Sequence, residues 1–385
     1  MDCLLHEVFD ARSGGPVVDA RMVEAPVWIG APGAPRAMGK GVYGAPRAYH
    51  VDGGNFTVQW DDPEVDSARA DAILARLEAA WETLVEVDGW PAPVSSDAWL
   101  LWVNLDPTLA GSGYTVEYTD DTYPDGYPVM WLNPNYEAEN PAFGLSVAVH
   151  EFGHALQYGV RTPGDRTDAW FWEATSEWTA EHAAPDLDTY AESAWWYAQY
   201  PEAAWDAPDR YHPYGMLLLN AWLDERIFGF DGIVDLWVGG EGIPWAERIP
   251  AVAGAPLDEL LPEMAAEVAA GTLRESALYE PPVHLTVSEG WQTVELPGLY
   301  GSYYVDWEGP LTVEGPVAVR YISEGVVSSV QPEGAYIAVF TATGEGDLSF
   351  GVPPVTAEPC GCAGAEPPMS WLILPMLLPL RRRVV

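Results

Sequence analysis

The sequence predicts an α+β protein in which a mixed α/β domain, helical in its second half, precedes a small all-β sandwich. Strand and helix patterns are mixed over residues 50–279, whereas short alternating segments separated by Gly and Pro turns fill 280–352. The length of 385 residues exceeds one average domain, and 48% hydrophobic residues can form more than one core. We therefore divide the chain into an N-terminal extended segment (1–49), the α/β domain, the sandwich and a tail (353–385).

The α/β domain begins with a predicted strand at 55–60, in which Phe56, Val58 and Trp60 alternate onto one face. An amphipathic helix follows over 66–87. Three more strands are predicted, at 99–103, 113–119 and 128–132. The segment 113–119 alternates like an edge strand, which could pair with an extended peptide substrate. An ordinary solvent-facing strand explains the same pattern.

The next predicted helix, at 141–159, carries the motif H-E-x-x-H. His150 and His154 are four residues apart, so both imidazoles project from one face of the helix. Two imidazoles so placed can bind one metal ion, and Zn²⁺ suits three protein ligands plus a water. Glu151 could take a proton from that water as general base. The alternative is a chance match on a structural helix, expected roughly once per hundred chains of this composition.

Zinc needs a third protein ligand. Gln157 and Val160 stand where the metzincin pattern requires Gly and His, which rules out that class. Glu173 lies 19 residues beyond the second histidine, in the next predicted helix, after a turn at 162–165. An exposed first-turn acid, favoured by the helix dipole, is the alternative explanation of Glu173.

Glu177 lies one helical turn beyond Glu173 and could support the site without touching the metal. Metal-bound histidines usually donate their other N–H to a carboxylate, and Glu177 could accept it from His150. A plain surface charge is the alternative for Glu177. His182 is the rival third ligand, although a partly buried structural histidine near a helix end explains it more simply.

These motifs resemble the gluzincin zinc peptidases, in which HExxH is followed by a glutamate and, four residues on, by a second acid. Gluzincins often have Asp where this chain has Glu177. The phrases W-F-W-E-A-T-S-E-W and H-E-F-G-H-A-L-Q-Y look more specifically like myxobacterial proteins described as secreted metalloproteases, over about 50–240. The resemblance implies a zincin-like fold for 50–279. It implies metal ligands at His150, His154 and Glu173, the base at Glu151 and the outer acid at Glu177.

A zinc peptidase also needs a hydrogen-bond donor aimed at the developing oxyanion, commonly a Tyr or His from the downstream half. Tyr211, His212 and Tyr214 are the candidates, and they precede an apolar helix predicted at 216–226. Resemblance to the myxobacterial group, where a Tyr-Gly pair starts this helix, favours Tyr214. A structural tyrosine at a helix start is the alternative. Two more helices, at 231–238 and 257–270, are predicted to complete this half.

The sandwich is predicted from seven short segments with strand alternation, at 283–287, 292–296, 303–307, 311–313, 317–322, 335–341 and 348–352. None of them carries an acid–histidine constellation. We expect a binding or spacing module, with a ligand that the sequence does not identify.

Charge and cysteine usage exclude other classes of function. The chain has 58 acidic and 17 basic residues, a net charge of −41, which repels nucleic acid and anionic lipid. Its three cysteines, Cys3, Cys360 and Cys362, lie outside the presumed catalytic region, which excludes a Cys₄ zinc site and an internal disulfide scaffold. Ca²⁺ could bind among the Asp-rich loops, although no D-x-D-x-D-G run is present.

The two ends of the chain bear on localisation. Residues 1–5 lack the basic segment and the apolar run of a signal peptide, and we expect the true start to lie upstream. A Pro-, Gly- and Ala-rich linker at 353–368 contains both distal cysteines and precedes an apolar stretch, 369–380, and three arginines. This order resembles the myxobacterial C-terminal sorting signal (MYXO-CTERM). It implies processing near the cysteines, display at the cell surface and membrane contact through the tail alone. A disordered, sticky tail is the alternative.

Together these features predict a secreted, surface-displayed zinc metallopeptidase with one Zn²⁺ per chain and a protein or peptide substrate. A catalytically silent adhesin on the same scaffold is one alternative. A zinc hydrolase of non-peptide substrates is another, because the same chemistry serves several acyl substrates.

Overall fold

The computed structural model describes most of the chain between residues 41 and 352. The described ranges are 41–42, 47–118, 126–160, 169–207, 211–240, 242–274, 276–278, 281–285, 290–296 and 298–352. The turn expected at 162–165 and the C-terminal tail lie outside them.

A mixed β-sheet forms one layer of the first domain. Its strands are β1 (Gly41–Val42), β2 (Tyr49–Asp52), β3 (Phe56–Trp60), β4 (Trp99–Leu105), β5 (Gly113–Tyr118) and β6 (Tyr127–Leu132). The order is β2-β3-β4-β6-β5, and the two-residue β1 pairs with β4. Strands β3, β4 and β6 are parallel, whereas β2 and β5 are antiparallel at the two edges. The predicted α+β class and the edge position of β5 are confirmed.

Helices pack against the sheet and form the second half of the domain. They are α1 (Ser67–Trp81), α2 (Pro134–Glu139), α3 (Pro141–Val160), α4 (Ala169–Ala183), α5 (Tyr190–Gln199), α6 (His212–Gly215), α7 (Leu217–Leu223), α8 (Gly229–Trp237), α9 (Trp245–Ala253) and α10 (Leu257–Ala270). A π-helical turn, Glu82–Val87, continues α1, and another, Asp224–Phe228, continues α7.

Helix α3 is central to the core and carries the H-E-x-x-H motif. Phe152 projects from α3 towards the sheet, where its ring meets Phe56 of β3 edge-on, with centroids 5.0 Å apart. The same ring stacks on Trp81 of α1 at 5.9 Å. These aromatic contacts place the motif between the sheet and α4, because the remaining faces of α3 are also buried.

Helices α3 and α4 approach each other closely at Gly153. A Cβ at this position would overlap the hydroxyl of Ser176 on α4 and would lie 3.3 Å from the Ser176 Cα. Ser176 donates a hydrogen bond to the His150 carbonyl. The absence of a side chain at Gly153 thus brings the two motif-bearing helices together.

The second half of the domain differs in detail from the sequence prediction. The helix predicted at 216–226 corresponds to α7 and the following π-turn, and the short α6, separated from α7 by Met216, was not predicted. Helix α9 was not predicted. Its Trp245 is buried, with its ring 4.3 Å from that of Phe171, so tertiary packing supports a helix that contains a proline, Pro250.

The C-terminal region contains two small antiparallel sheets. Its strands are β7 (Gln292–Glu295), β8 (Ser302–Glu308), β9 (Thr312–Glu314), β10 (Val317–Ser323), β11 (Val326–Ser328), β12 (Ala335–Ala342) and β13 (Asp347–Gly351). The sheets have the orders β11-β10-β12-β8 and β7-β13-β9. The short β11 was not predicted. In the segment predicted as a strand at 283–287, the described part has no strand, and residues 286–289 lie outside the described ranges.

The first of these sheets packs on the helical half of the α/β domain. Tyr304, Ile322 and Val339 belong to the same hydrophobic cluster as the buried residues of α10. The hydroxyls of Tyr304 and Tyr197 on α5 lie 3.1 Å apart, and Tyr304 donates to the Ala265 carbonyl. The two regions therefore share a core. Among the described residues, no helix combines the length and the apolar character needed to cross a membrane.

Candidate metal centre

His150, His154 and Glu173 form one buried group between α3 and α4. The ligand atoms that the three residues can offer all lie within 4.8 Å of one another. His150 Nε2 lies 3.2 Å from Glu173 Oε2, and His154 Nε2 lies 3.6 Å from the same oxygen. Within the described part of the chain, no other group of three such residues meets this spacing.

The donor set fits a zinc ion. Two ligands of a tetrahedral zinc are roughly 3.3 Å apart, given bond lengths of about 2.0–2.1 Å. The carboxylate of Glu173 is 0% exposed and accepts no hydrogen bond of normal geometry from the described part of the chain. Buried charges in proteins are paired or coordinate metals. A cation held by the two imidazoles and this carboxylate would account for the arrangement.

The electrostatics of the group favour positive charge at its centre. Burial by itself would lower the pKa of His150, but its contacts with Glu173 and Glu177 raise that pKa well above its usual value. Burial would raise the pKa of Glu173, but His150 and His154 hold that pKa well below its usual range. The carboxylates therefore stabilise a cation beside the imidazoles.

Glu177 supports His150 from the side away from Glu173. Its Oε1 lies 3.1 Å from His150 Nδ1, and the Ser193 hydroxyl donates to its Oε2 at 3.1 Å. Glu177 is 4% exposed, so the alternative of a plain surface charge is wrong. A carboxylate in this position fixes the orientation and the tautomer of the histidine.

Gln157 supports His154 in the same way, and the sequence analysis had used it only to exclude one class of peptidase. Its Oε1 lies 2.8 Å from His154 Nδ1, and its Nε2 donates to the Trp172 carbonyl at 3.0 Å. The feature of the sequence that indicates this role is the position of Gln157, three residues after His154 on the same helix face.

Glu151 lies beside the group and contacts the edge strand. It is 0% exposed, and the Thr115 hydroxyl of β5 lies 2.8 Å from both its Oε2 and its main-chain carbonyl oxygen, to which it donates. Burial raises the pKa of Glu151, although the neighbouring His154 and His150 partly oppose this. A Cβ at Gly113 would lie 3.0 Å from Glu151 Cγ, so the strand passes very close to this carboxylate. Thr115 and Gly113 had no assigned role in the sequence analysis.

A small cavity adjoins these residues. It is lined by Ser112 before β5, by Phe143, Ser146 and Val147 on α3, and by His150, Glu151 and Glu177. The space therefore lies between the start of the edge strand and the motif helix, next to both carboxylates.

Of the three predicted oxyanion donors, Tyr214 lies against the group. Its ring is 6.1 Å from that of His150, and the residue is 2% exposed. Tyr211 is half-buried, with its ring 6.1 Å from that of Tyr214. His212 is buried and its ring lies near Tyr197, at 6.5 Å.

A row of aromatic rings continues from Tyr214 towards solvent. Tyr211 lies 4.5 Å from Trp196, and Trp196 lies 4.8 Å from Trp195. Trp195 is 38% exposed, whereas Trp196 is half-buried. Trp195 and Trp196 belong to α5, which also brings Ser193 to Glu177.

His182, the rival ligand, is not part of the group. Its Nε2 lies 3.1 Å from Asp88 Oδ2, and its ring stacks on Phe230 at 3.6 Å. It is a structural histidine near the end of α4.

Comparison with known proteins gives a family without an assigned activity. The model of a family of unknown function (DUF6055) matches residues 52–243, a range that contains strands β3 to β6 and helices α1 to α8. The matched range includes the whole His150, His154 and Glu173 group. No curated protein matches the chain.

Proposed function

We propose that this protein is a zinc-dependent peptidase of the gluzincin type. The observation that carries the proposal is the buried group of His150, His154 and Glu173, with Glu151 beside it and an edge strand in contact. Bound zinc would supply Lewis acidity, which lowers the pKa of a water and polarises a carbonyl group.

Glu151 is the general base in this proposal. It follows the first ligand on α3 and lines the cavity, where a water molecule and the scissile carbonyl would meet. Burial raises the pKa of Glu151, and a base works best when its pKa lies closer to the working pH. Thr115 donates to the carboxylate. In this proposal the carboxylate accepts a proton from the water and later donates it to the leaving amine.

Tyr214 is the donor proposed for the substrate oxyanion. Its position against His150 places a phenol at the edge of the metal centre, whereas the His212 ring contacts Tyr197 instead. A donor aimed at developing charge is typically worth 10²–10³-fold in kcat, that is about 3–4 kcal/mol. Tyr214→Phe should lower kcat by about this factor and leave the zinc affinity unchanged.

Strand β5 is the proposed docking site for an extended peptide. Its inner neighbour is β6, and the described residues include no second strand beside it. Main-chain hydrogen bonds to this edge would bring a peptide past Glu151, because Thr115 and Gly113 contact that residue. The aromatic row ending at Trp195 is a candidate wall for apolar side chains of the substrate.

The place of action is proposed from the sequence. The tail that resembles a myxobacterial sorting signal points to export and cell-surface display, and the net charge of −41 argues against nucleic acid as a partner.

The test is Glu151→Gln in the full chain, assayed on a mixture of unmodified peptides with mass-spectrometric detection. Because the amide cannot accept the proton but leaves the three ligands in place, we expect zinc content to stay and cleavage to fall by roughly 10²-fold or more. Glu78→Gln is the matched control, since Glu78 is a partly buried carboxylate on α1 that accepts hydrogen bonds from Asn55. Full activity in Glu151→Gln would contradict the mechanism.

A further inference from the structure

Gln157 connects two of the three candidate ligands. It is 0% exposed. Its amide oxygen lies 2.8 Å from His154 Nδ1, and its amide nitrogen lies 3.0 Å from the carbonyl oxygen of Trp172, the residue that precedes Glu173. One side chain on α3 thus contacts a ligand of its own helix and the main chain next to the ligand on α4.

The two contacts together determine the protonation of the His154 ring. A carbonyl oxygen can only accept, so the Gln157 NH₂ group must face Trp172 and its oxygen must face His154. That oxygen can only accept as well, so Nδ1 of His154 carries the proton. In the neutral imidazole the lone pair is then on Nε2, the nitrogen that faces Glu173 at 3.6 Å.

We propose that Gln157 is a positioning residue of the metal centre, which holds His154 in the tautomer that offers Nε2 to zinc. It also couples the position of His154 to that of Glu173, through the Trp172 carbonyl. The inference rests on the proposed function, since it concerns how the chain prepares the zinc site.

The amide also explains why the two histidines have different partners. Glu151, Glu173 and Glu177 are three carboxylates, all buried around one centre. A fourth carboxylate at position 157 would add buried negative charge and would lack a donor for the Trp172 carbonyl. Glutamine supplies the acceptor that His154 needs, without the charge. Glu177 gives His150 a charged partner, and Gln157 gives His154 a neutral one.

The experiment measures zinc affinity by chelator competition on the full chain, with the free energy of unfolding of each zinc-free variant measured beside it. Gln157→Met fills the same space and removes both hydrogen bonds, so we expect zinc to bind roughly 10- to 100-fold more weakly. Gln157→Glu keeps an acceptor for His154, so it should bind zinc more tightly than Gln157→Met. Gln59→Met is the control, because Gln59 is also a buried glutamine, on β3, and accepts from the Arg47 N–H.

A second readout does not depend on any variant. Nitrogen-15 NMR of the zinc-loaded wild type should show His154 protonated at Nδ1 and coordinated through Nε2. Coordination through Nδ1 would overturn the proposal, even if the variants failed to fold.

The outcomes separate this inference from the proposed function. A wild type that binds no zinc would contradict the proposed function itself. A wild type that binds zinc, with Gln157→Met within about threefold of it, would overturn only the role of Gln157. Equal losses in Gln157→Met and Gln59→Met would also overturn it, since both would then reflect general destabilisation.

Discussion

Glu177 binds the nitrogen of His150 that points away from the metal centre. His150 Nδ1 lies 3.1 Å from Glu177 Oε1, while His150 Nε2 lies 3.2 Å from Glu173 Oε2. Carboxylates from successive turns of α4 therefore lie within ion-pair distance of both imidazole nitrogens. The ring cannot rotate without losing one of them, so the ligand is oriented before a metal arrives.

The first prediction concerns this contact. Glu177→Ala removes the partner of His150 Nδ1, and zinc affinity should fall by roughly 10- to 100-fold. Glu177→Gln keeps an acceptor without its charge and should lie between the wild type and the alanine variant. The control is Glu192→Ala, an exposed acid on α5. Chelator competition measures all four proteins, and equal affinities in Glu177→Ala and the wild type would contradict the role of Glu177.

The second prediction concerns the general base. The Thr115 hydroxyl donates to Glu151 and by itself lowers the pKa of that carboxyl, against the larger effect of burial. Thr115→Val removes this bond, so the pKa of Glu151 should rise. Because the base must be ionised, the acidic limb of the kcat/KM profile should move to higher pH.

Thr57→Val provides the matched control for Thr115→Val. Thr57 is also a buried strand threonine that donates to a carboxylate, that of Asp52, but on β3. Its profile should coincide with that of the wild type. An acidic limb that stays in place or moves to lower pH in Thr115→Val would contradict the assignment of Glu151.

The third prediction concerns the spacing of the two ligand-bearing helices. Gly153→Ala introduces a methyl group that overlaps the Ser176 hydroxyl, so α3 and α4 must separate. We expect a loss of 1–3 kcal/mol in unfolding free energy, about the usual cost of overpacking, together with weaker zinc binding. Adding Ser176→Ala removes the overlapping hydroxyl. The double variant should therefore regain part of the lost unfolding free energy and part of the lost zinc affinity. No recovery in the double variant would show that another contact limits the spacing.

The fourth prediction uses His212, the oxyanion candidate that contacts Tyr197. Burial lowers its pKa to about 4. The unfolded chain, with a histidine pKa of about 6.5, then binds more protons than the folded chain between these two pH values. The free energy of unfolding should therefore fall as the pH falls from 6.5 to 4, by about 3 kcal/mol from this one group.

His212→Gln isolates that contribution, because it removes the titrating ring and leaves every other acid in place. Denaturant unfolding between pH 7 and pH 4 should give a shallower decline for the variant than for the wild type. Parallel curves would mean that His212 is protonated in the folded state or accessible to water.

The grouping of the three candidate ligand residues could be predicted from the sequence because their relationship is local. His150 and His154 are one turn apart on one helix, and Glu173 needs only a turn and the start of the next helix. The contact between Thr115 and Glu151 joins residues 36 apart, and it depends on which strand lies at the edge of the sheet. The contact between Gln157 and Trp172 depends on how α3 packs on α4. Neither packing arrangement is encoded in a short motif.

The helical half of the domain also contains a helix boundary that depends on packing and not on a short motif. An apolar pattern predicted a helix at 216–226, and α7 with the following π-turn covers 217–228, but the separate short helix α6, which ends at Gly215, was not predicted. A Cβ at Gly215 would lie 3.1 Å from the Tyr197 Cα, so the backbones of α6 and α5 are in close contact. Such a contact between distant segments determines where a helix ends, and periodicity alone does not reveal it.

Zinc stoichiometry tests the central claim most directly. The full-length wild type and Glu173→Ala would be loaded with zinc, freed of excess metal by gel filtration and measured by mass spectrometry, with circular dichroism to verify folding. The account predicts about one zinc per chain in the wild type and little or none in the variant, because the variant lacks the third ligand. A folded wild type without zinc, or zinc held equally by both proteins, would contradict the assignment of His150, His154 and Glu173 as the metal centre.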